Sequence, residues 1–287
     1  MSIGDNRAVV ITGASTGIGA ACALHLDRLG FTVFAGVRKL DDGVVLQRIS
    51  SDRLRPIMLD VTDSATIQRS HAIVSERIGT NGLYGLVNNA GIAVPAPLEA
   101  IPITDFRRQL EVNVIGQVAV TQAFLPLIRQ ARGRIVNMGS IAGLSTMPLM
   151  GPYSASKFAL EAITDALRLE VQQWGIQVSI IEPGAIATPI WTKSADEAVG
   201  REAAIETDLR TLYQPIVDAV RKVVGEASKR AISADAVAKV VADALTSPYP
   251  KTRYLVGKDA KLRALMVKIL PDRLSDRILT KILDLPH

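Results

Sequence analysis

Directly after the apolar run Ala8–Thr12 the chain reads Thr12-Gly-Ala-Ser-Thr-Gly-Ile-Gly19, and the residues that follow place Ile18, Cys22, Leu26 and Leu29 on one helical face. A glycine-rich turn caught between a strand and a helix narrows the folds open to a chain more than any other feature here. The glycines permit a tight turn and bring the backbone close to a ligand. Free N–H groups and the positive end of the helix dipole then favour a pyrophosphate. Gly13, Ser15, Thr16, Gly17, Ile18 and Gly19 are therefore candidate contacts for a dinucleotide. No Lys-Ser/Thr pair follows the glycines, which disfavours a P-loop hydrolase.

Apolar runs of strand length alternate with helical stretches along the rest of the chain. Strands are expected at Ala8–Thr12, Phe31–Val37, Pro56–Leu59, Leu83–Asn88, Arg134–Met138, Gln177–Ile181 and Arg253–Val256, with a helix over Ser64–Ile78. Uninterrupted strands such as Val-Ser-Ile-Ile read as buried on both faces, the mark of a parallel sheet between helices. Only 4% of the residues are aromatic, which also suits aliphatic parallel strands. The expected class is α/β, a single doubly wound, Rossmann-type parallel sheet with helices on both faces. One such domain spans 1–287, with a cleft insertion without strands at about 185–232, a capped helix over Ser233–Leu245 and a basic helical tail at 258–287.

The net charge is +5, from 33 basic and 28 acidic residues spread along the chain, so a nucleic-acid partner is not indicated. Cys22 is the only cysteine, which favours a reducing compartment. No secretory leader and no uncharged apolar run of membrane-spanning length is read, so the expected location is cytoplasmic. His25, His71 and His287 are isolated, and no metal site is expected.

After the second strand, where an acidic residue would hold an unmodified ribose, stand Arg38 and Lys39. Cationic side chains can pair with a 2′-phosphate, so NADP is favoured as the cofactor, while Asp41 and Asp42 keep NAD open. Tyr153 and Lys157 lie four apart and so on one helical face. A fixed ammonium would lower the tyrosine's titration point, letting its hydroxyl give or take a proton. Ser140 follows the strand Arg134–Met138, at the sheet edge where ligands bind, and can hold a substrate oxygen.

These residues resemble the classical short-chain dehydrogenase/reductase family over roughly Arg7–Thr192. The matching motifs are Thr12–Gly19, Asp60-Val61, Asn88-Asn-Ala-Gly91, Asn113, Ser140, Tyr153-Ser-Ala-Ser-Lys157, and Pro183-Gly184 with Thr188. The resemblance implies an NAD(P)-dependent enzyme that interconverts alcohols and carbonyls, with Asn113, Ser140, Tyr153 and Lys157 as the catalytic set. It further implies that Asp60 and Val61 contact adenine, that Asn88, Ala90 and Gly91 support the cofactor, that Pro183, Gly184 and Thr188 lie at its nicotinamide end, and that Asn113 positions a water. Tyr153 and Lys157 would touch cofactor as well.

Met147, Leu149, Met150 and Trp191 flank the expected site and would give it apolar walls, which points to a lipophilic alcohol or ketone. Within the family, the chain looks most like the hydroxysteroid and retinol dehydrogenase branch. The tail carries seven Lys or Arg and four Asp, with Leu274, Ile278 and Ile282 on one face. It is expected to pack over the protein, with subunit pairing or peripheral membrane contact as alternatives. The resemblance implies a homo-oligomer, a dimer or tetramer. The competing functional reading is a non-catalytic nicotinamide-dinucleotide sensor or scaffold, which would not need the proton-handling residues.

Overall fold

The computed structural model describes residues 7–190 and 206–285. Within them the strands are β1 Ala8–Ile11, β2 Thr32–Val37, β3 Leu54–Met58, β4 Gly85–Asn88, β5 Arg134–Met138, β6 Gln177–Pro183, β7 Ile186–Ala187, β8 Ile232–Ser233 and β9 Arg253–Val256. Seven of them form one parallel sheet in the order β3-β2-β1-β4-β5-β6-β9. The chain runs outward from β1 to β3, returns to β4 beside β1, and runs outward the other way. A crevice therefore opens past the C-terminal ends of β1 and β4, where the order reverses.

The helices are α1 Gly17–Arg28, α2 Leu40–Gln47, α3 Ser64–Ile78, α4 Ile103–Leu110, α5 Gly116–Ala131, α6 Gly151–Val171, α7 Thr207–Lys229, α8 Ala234–Thr246, α9 Lys258–Ile269 and α10 Asp272–Ile282. Side chains alternate across a strand, so β1 feeds two cores. Val9 and Ile11 pack with Cys22 and Leu26 of α1 and Val237 and Val241 of α8, while Val10 packs with Val74 of α3 and Val120, Phe124 and Ile128 of α5. Local signals start the helices where the sequence places them. Asp63 accepts from Ala65 N at 2.9 Å to cap α3, and Ser233 accepts from Ala236 N at 3.4 Å to cap α8.

β5 and β9 match expectation, and the other expected strand limits differ by one or two residues at an end. β3 begins at Leu54 and contains Pro56, which an edge strand tolerates because β3 pairs with β2 alone. The expected strandless insertion contains β7 and β8, which pair in parallel and are two residues each, too short to leave any periodicity. The stretch Ile103–Ala131, unlike the sequence reading, is long and apolar enough by composition to cross a membrane. Its apolar residues Val120, Phe124 and Ile128 are instead fully buried in the second core. The tail is two helices broken at Pro271, and among its described residues just Ala260 and Leu283 are buried. On the expected packing face, Leu274 and Ile282 are exposed and Ile278 is half-buried, so that face is only partly covered.

Candidate active site

A cavity of about 650 Å³ occupies the crevice. Its upper wall is the Gly13–Ile18 loop with Arg38, Asp60 and Val61; Ala90 and Gly91 form its middle; Met138, Ser140, Tyr153 and Lys157 close one end with Pro183, Gly184 and Thr188. Most sequence-predicted positions are thereby brought to one surface.

The loop's shape is fixed by two glycines. Gly17 opens α1 in the left-handed region, at φ 59°, and a Cβ there would lie 3.3 Å from the Thr188 side chain. A Cβ on Gly19 would overlap the Gly13 carbonyl oxygen and the Asn89 amide, so Gly19 serves the turn's packing and does not line the cavity. Thr12 and Asn89, which the motif reading left without roles, sew β1 to β4. The Thr12 hydroxyl accepts from Asn89 N and Ala90 N at 2.9 Å each, and Asn89 Nδ2 donates to the Thr12 and Gly13 carbonyls at 3.0 Å. Asp60 accepts from Thr62 N at 2.9 Å and from its hydroxyl at 2.8 Å, which locks the turn after β3.

Two expected contacts lie beneath the cavity. Asn88 is buried and donates to Thr121 Oγ1 at 2.8 Å and Asn137 Oδ1 at 3.0 Å. Asn113 sits in a π turn, Glu111–Ile115, where its amide accepts from Ile92 N at 2.9 Å and donates to Ile92 O at 3.0 Å and Ser156 Oγ at 3.1 Å. Those bonds take up both N–H groups and the amide oxygen, so the side chain clamps the β4–α4 loop to α6.

The reacting end is buried. Tyr153 and Lys157 stand one turn apart on α6, 7% and 4% exposed, with Lys157 Nζ 5.7 Å from the centre of the Tyr153 ring. Lys157 Nζ donates to Met138 O at 2.6 Å. The Tyr153 and Ser140 hydroxyls are hydrogen-bonded, and Ser140 Oγ accepts from Ala142 N at 3.1 Å, so this serine both caps a turn and meets the tyrosine. Burial pushes the Tyr153 phenol up, with the Ser140 bond opposing. Burial also pulls Lys157 down to about 8, against the pull of Glu161. The expected lowering of the phenol by the ammonium is thus reversed, because desolvation dominates both groups.

Beside Tyr153, Ala93 and Met150 are buried with Met147 and Ile190 packed on them. Met147, Leu149 and Met150 do not line the cavity, and Leu149, at φ 67°, gives its carbonyl to Ala96 N at 2.9 Å. Trp191 lies outside the described residues. The sequence reading missed Arg107 and Arg108, which reach the cavity from α4.

The short chain dehydrogenase family model matches residues 7–198. Retinol dehydrogenase 5 of Mus musculus is 38% identical over 97% of this chain and 89% of its own length. The NADPH-dependent 3-dehydrocapnine reductase of Ornithobacterium rhinotracheale is 36% identical over 96% of both chains. The crystal structure of a short chain dehydrogenase from Burkholderia cenocepacia in complex with NADP aligns over 100% of both chains, with 25% identity and a TM-score of 0.74. The chain belongs to the short-chain dehydrogenase/reductase family, in its retinol dehydrogenase-like branch, and is an NAD(P)-dependent oxidoreductase of alcohols and carbonyls.

Proposed function

We propose that the chain uses NADP to interconvert a carbonyl and an alcohol on a lipophilic substrate, with Tyr153 moving the proton. The observation that carries this reading is the buried Ser140–Tyr153–Lys157 group sharing one cavity with the glycine loop and Arg38. The loop fits a dinucleotide: its glycines leave no space for side chains, and the backbone faces the cavity at the head of α1. Arg38 stands exposed at the end of β2, placed to meet a 2′-phosphate, and Asp41 and Asp42 lie in the first turn of α2. The NADPH dependence of the Ornithobacterium relative and the NADP in the Burkholderia structure support the same preference.

When bound, the dinucleotide supplies or accepts the hydride and, in its oxidised form, adds a positive charge beside the phenol. Tyr153 Oη donates its proton to the substrate oxygen in reduction and takes it back in oxidation. Ser140 Oγ holds the same oxygen as charge develops. Lys157 Nζ, fixed by Met138 O, keeps a positive charge close to the phenol and favours the phenolate when the proton leaves. Asn113 holds the π turn and, through Ser156, the first turn of α6. Ile92, Ala93 and Ile190, which line the cavity, give the substrate an apolar surround.

The domain is one unit from 1 to 287, acting in the cytoplasm, a location supported by its having a single cysteine, which cannot form an internal disulfide. Assembly as a homo-oligomer is supported by exposed Phe158 and Leu169 on α6. The test is fluorescence titration with NADPH and NADH, followed by an absorbance screen of ketones and secondary alcohols with wild type and Tyr153→Phe. Both proteins should bind NADPH, and the variant should lose about 10²- to 10⁴-fold in turnover. Binding of neither dinucleotide by wild type sinks the reading. Binding without turnover by wild type on any compound favours the sensor.

A further inference from the structure

The turn Pro183-Gly184-Ala185, at the end of β6, sets Pro183 and Gly184 in the wall at the reacting end of the cavity. Gly184 N donates to Val256 O at 2.9 Å, and Ile232 N donates to Ala185 O at 3.1 Å, so β9 and β8 each hold one side of it. The remaining amide, Ala185 N, donates to Asp259 Oδ2 at 2.7 Å. Asp259 lies in the first turn of α9, the first helix of the tail, where the helix dipole favours a carboxylate. Its place is confined on both sides. A Cβ on Gly184 or on Gly257 would overlap the carboxylate, and Gly257 holds φ 111°, open to glycine above all. Ala260, next in sequence, is fully buried and anchors the helix turn that carries the carboxylate.

We propose that Asp259 is a positioning residue: its carboxylate fixes the Pro183–Ala185 turn, so the C-terminal tail is part of the active site although none of it lines the cavity. The inference rests on reading the cavity as the dinucleotide site. A charged acceptor on a backbone N–H makes a short, strong bond, and this one lies three residues before Thr188, which backs onto Gly17. A shift of the turn therefore reaches both the nicotinamide end and the glycine loop. Displacements of about 1 Å in such positioning elements cost up to about 10²-fold in rate.

The experiment measures NADPH affinity by fluorescence, and kcat and KM for a ketone substrate, in full-length wild type, Asp259→Asn, Asp259→Glu and Asp259→Ala. Asn keeps an acceptor oxygen in place and should remain within about threefold of wild type in NADPH affinity, whereas Ala should lose about tenfold. Glu keeps the charge but carries the carboxylate one methylene farther from the helix, off the position that meets Ala185 N, and should behave as Ala does; if Ala fails to fold, the contrast of Asn with Glu decides. A drop in kcat at saturating NADPH, restored by Asn, marks positioning, since a purely structural weakening lowers thermal stability without that split. NADPH affinity and kcat in Ala and Glu equal to wild type overturn the inference alone. Wild type that binds neither NADPH nor NADH overturns the dinucleotide reading and this inference with it.

Discussion

The two flanks of the cleft are held in different ways. On the glycine-loop flank each wall is a strand end or a helix start continuous with core: Val9, Val10 and Ile11 of β1 and Cys22 and Leu26 of α1 are all fully buried. On the other flank α7 buries Val217 and Val220, and α10 buries nothing. There the chain is fixed by single polar contacts, such as Tyr213 Oη to Glu99 Oε2 at 2.8 Å and Ala185 N to Asp259. Burial sets the geometry of the first flank, and few bonds set that of the second, so local opening should concentrate on the second.

The largest effect should come from cutting the buried flank. Phe124 of α5 is fully buried among Val10, Val74 and Ile128. Phe124→Ala should destabilise the fold by about 3–5 kcal/mol in urea unfolding. A cost under about 1 kcal/mol would mean that the core collapses around the gap, and the comparison between flanks would lose its basis.

Arg38→Ala comes next, because on the proposed reading it removes a charged partner from the cofactor and leaves the fold alone. NADPH affinity should fall by about tenfold to a hundredfold, while NADH affinity stays within about threefold. Equal losses for both dinucleotides would assign Arg38 to general attraction and shift the choice of cofactor to Arg107 or Arg108, which share the cavity.

A pH effect should follow from the acid cluster behind Lys157. Arg253 reaches three carboxylates, Glu161 at 3.1 Å, Asp165 at 2.7 Å and Glu182 at 3.4 Å. Burial, then the charge of Glu182, push Glu161 up to about 8, with Arg253 opposing. The folded chain therefore keeps a proton that the unfolded chain releases above the ordinary 4.5, and stability falls as pH rises from there through about 8. Lys157 acts with the opposite sign: lowered from 10.5 to about 8, it makes stability rise between those values. Urea midpoints should therefore pass through a minimum near 8, and Glu161→Gln should flatten the acid side of that curve. An unchanged acid side in the variant would place the proton on Glu182.

That cluster marks the limit of what the sequence makes legible. The sheet, the glycine loop and the Tyr153–Lys157 pair show in the chain because each is a local pattern: an apolar run, a turn between strand and helix, a four-residue spacing. Glu161, Glu182 and Arg253 meet only once β6 and β9 pair. Asn88 and Asn113 are visible as motif residues, yet their partners, Asn137, Ile92 and Ser156, are distant in the chain, so support beneath the cavity cannot be told from contact within it. Asp259 sits in a tail whose composition gives no hint of the turn it holds.

The smallest expected effect tests the second flank directly. Leu262, Leu265 and Ile269 of α9 are 59%, 54% and 65% exposed, on a helix with one buried residue. Burial earns stability in proportion to the apolar area removed from water, and these side chains have little of it to lose. Leu265→Ser should therefore change the free energy of unfolding in urea by less than about 0.5 kcal/mol, against several for Phe124→Ala. A loss above about 2 kcal/mol at high protein concentration that shrinks on dilution would show that a second subunit covers α9 in solution, since mass action ties such stability to concentration. The same loss at every concentration would show that the chain itself folds over α9, and the second flank would then be held by burial as the first is.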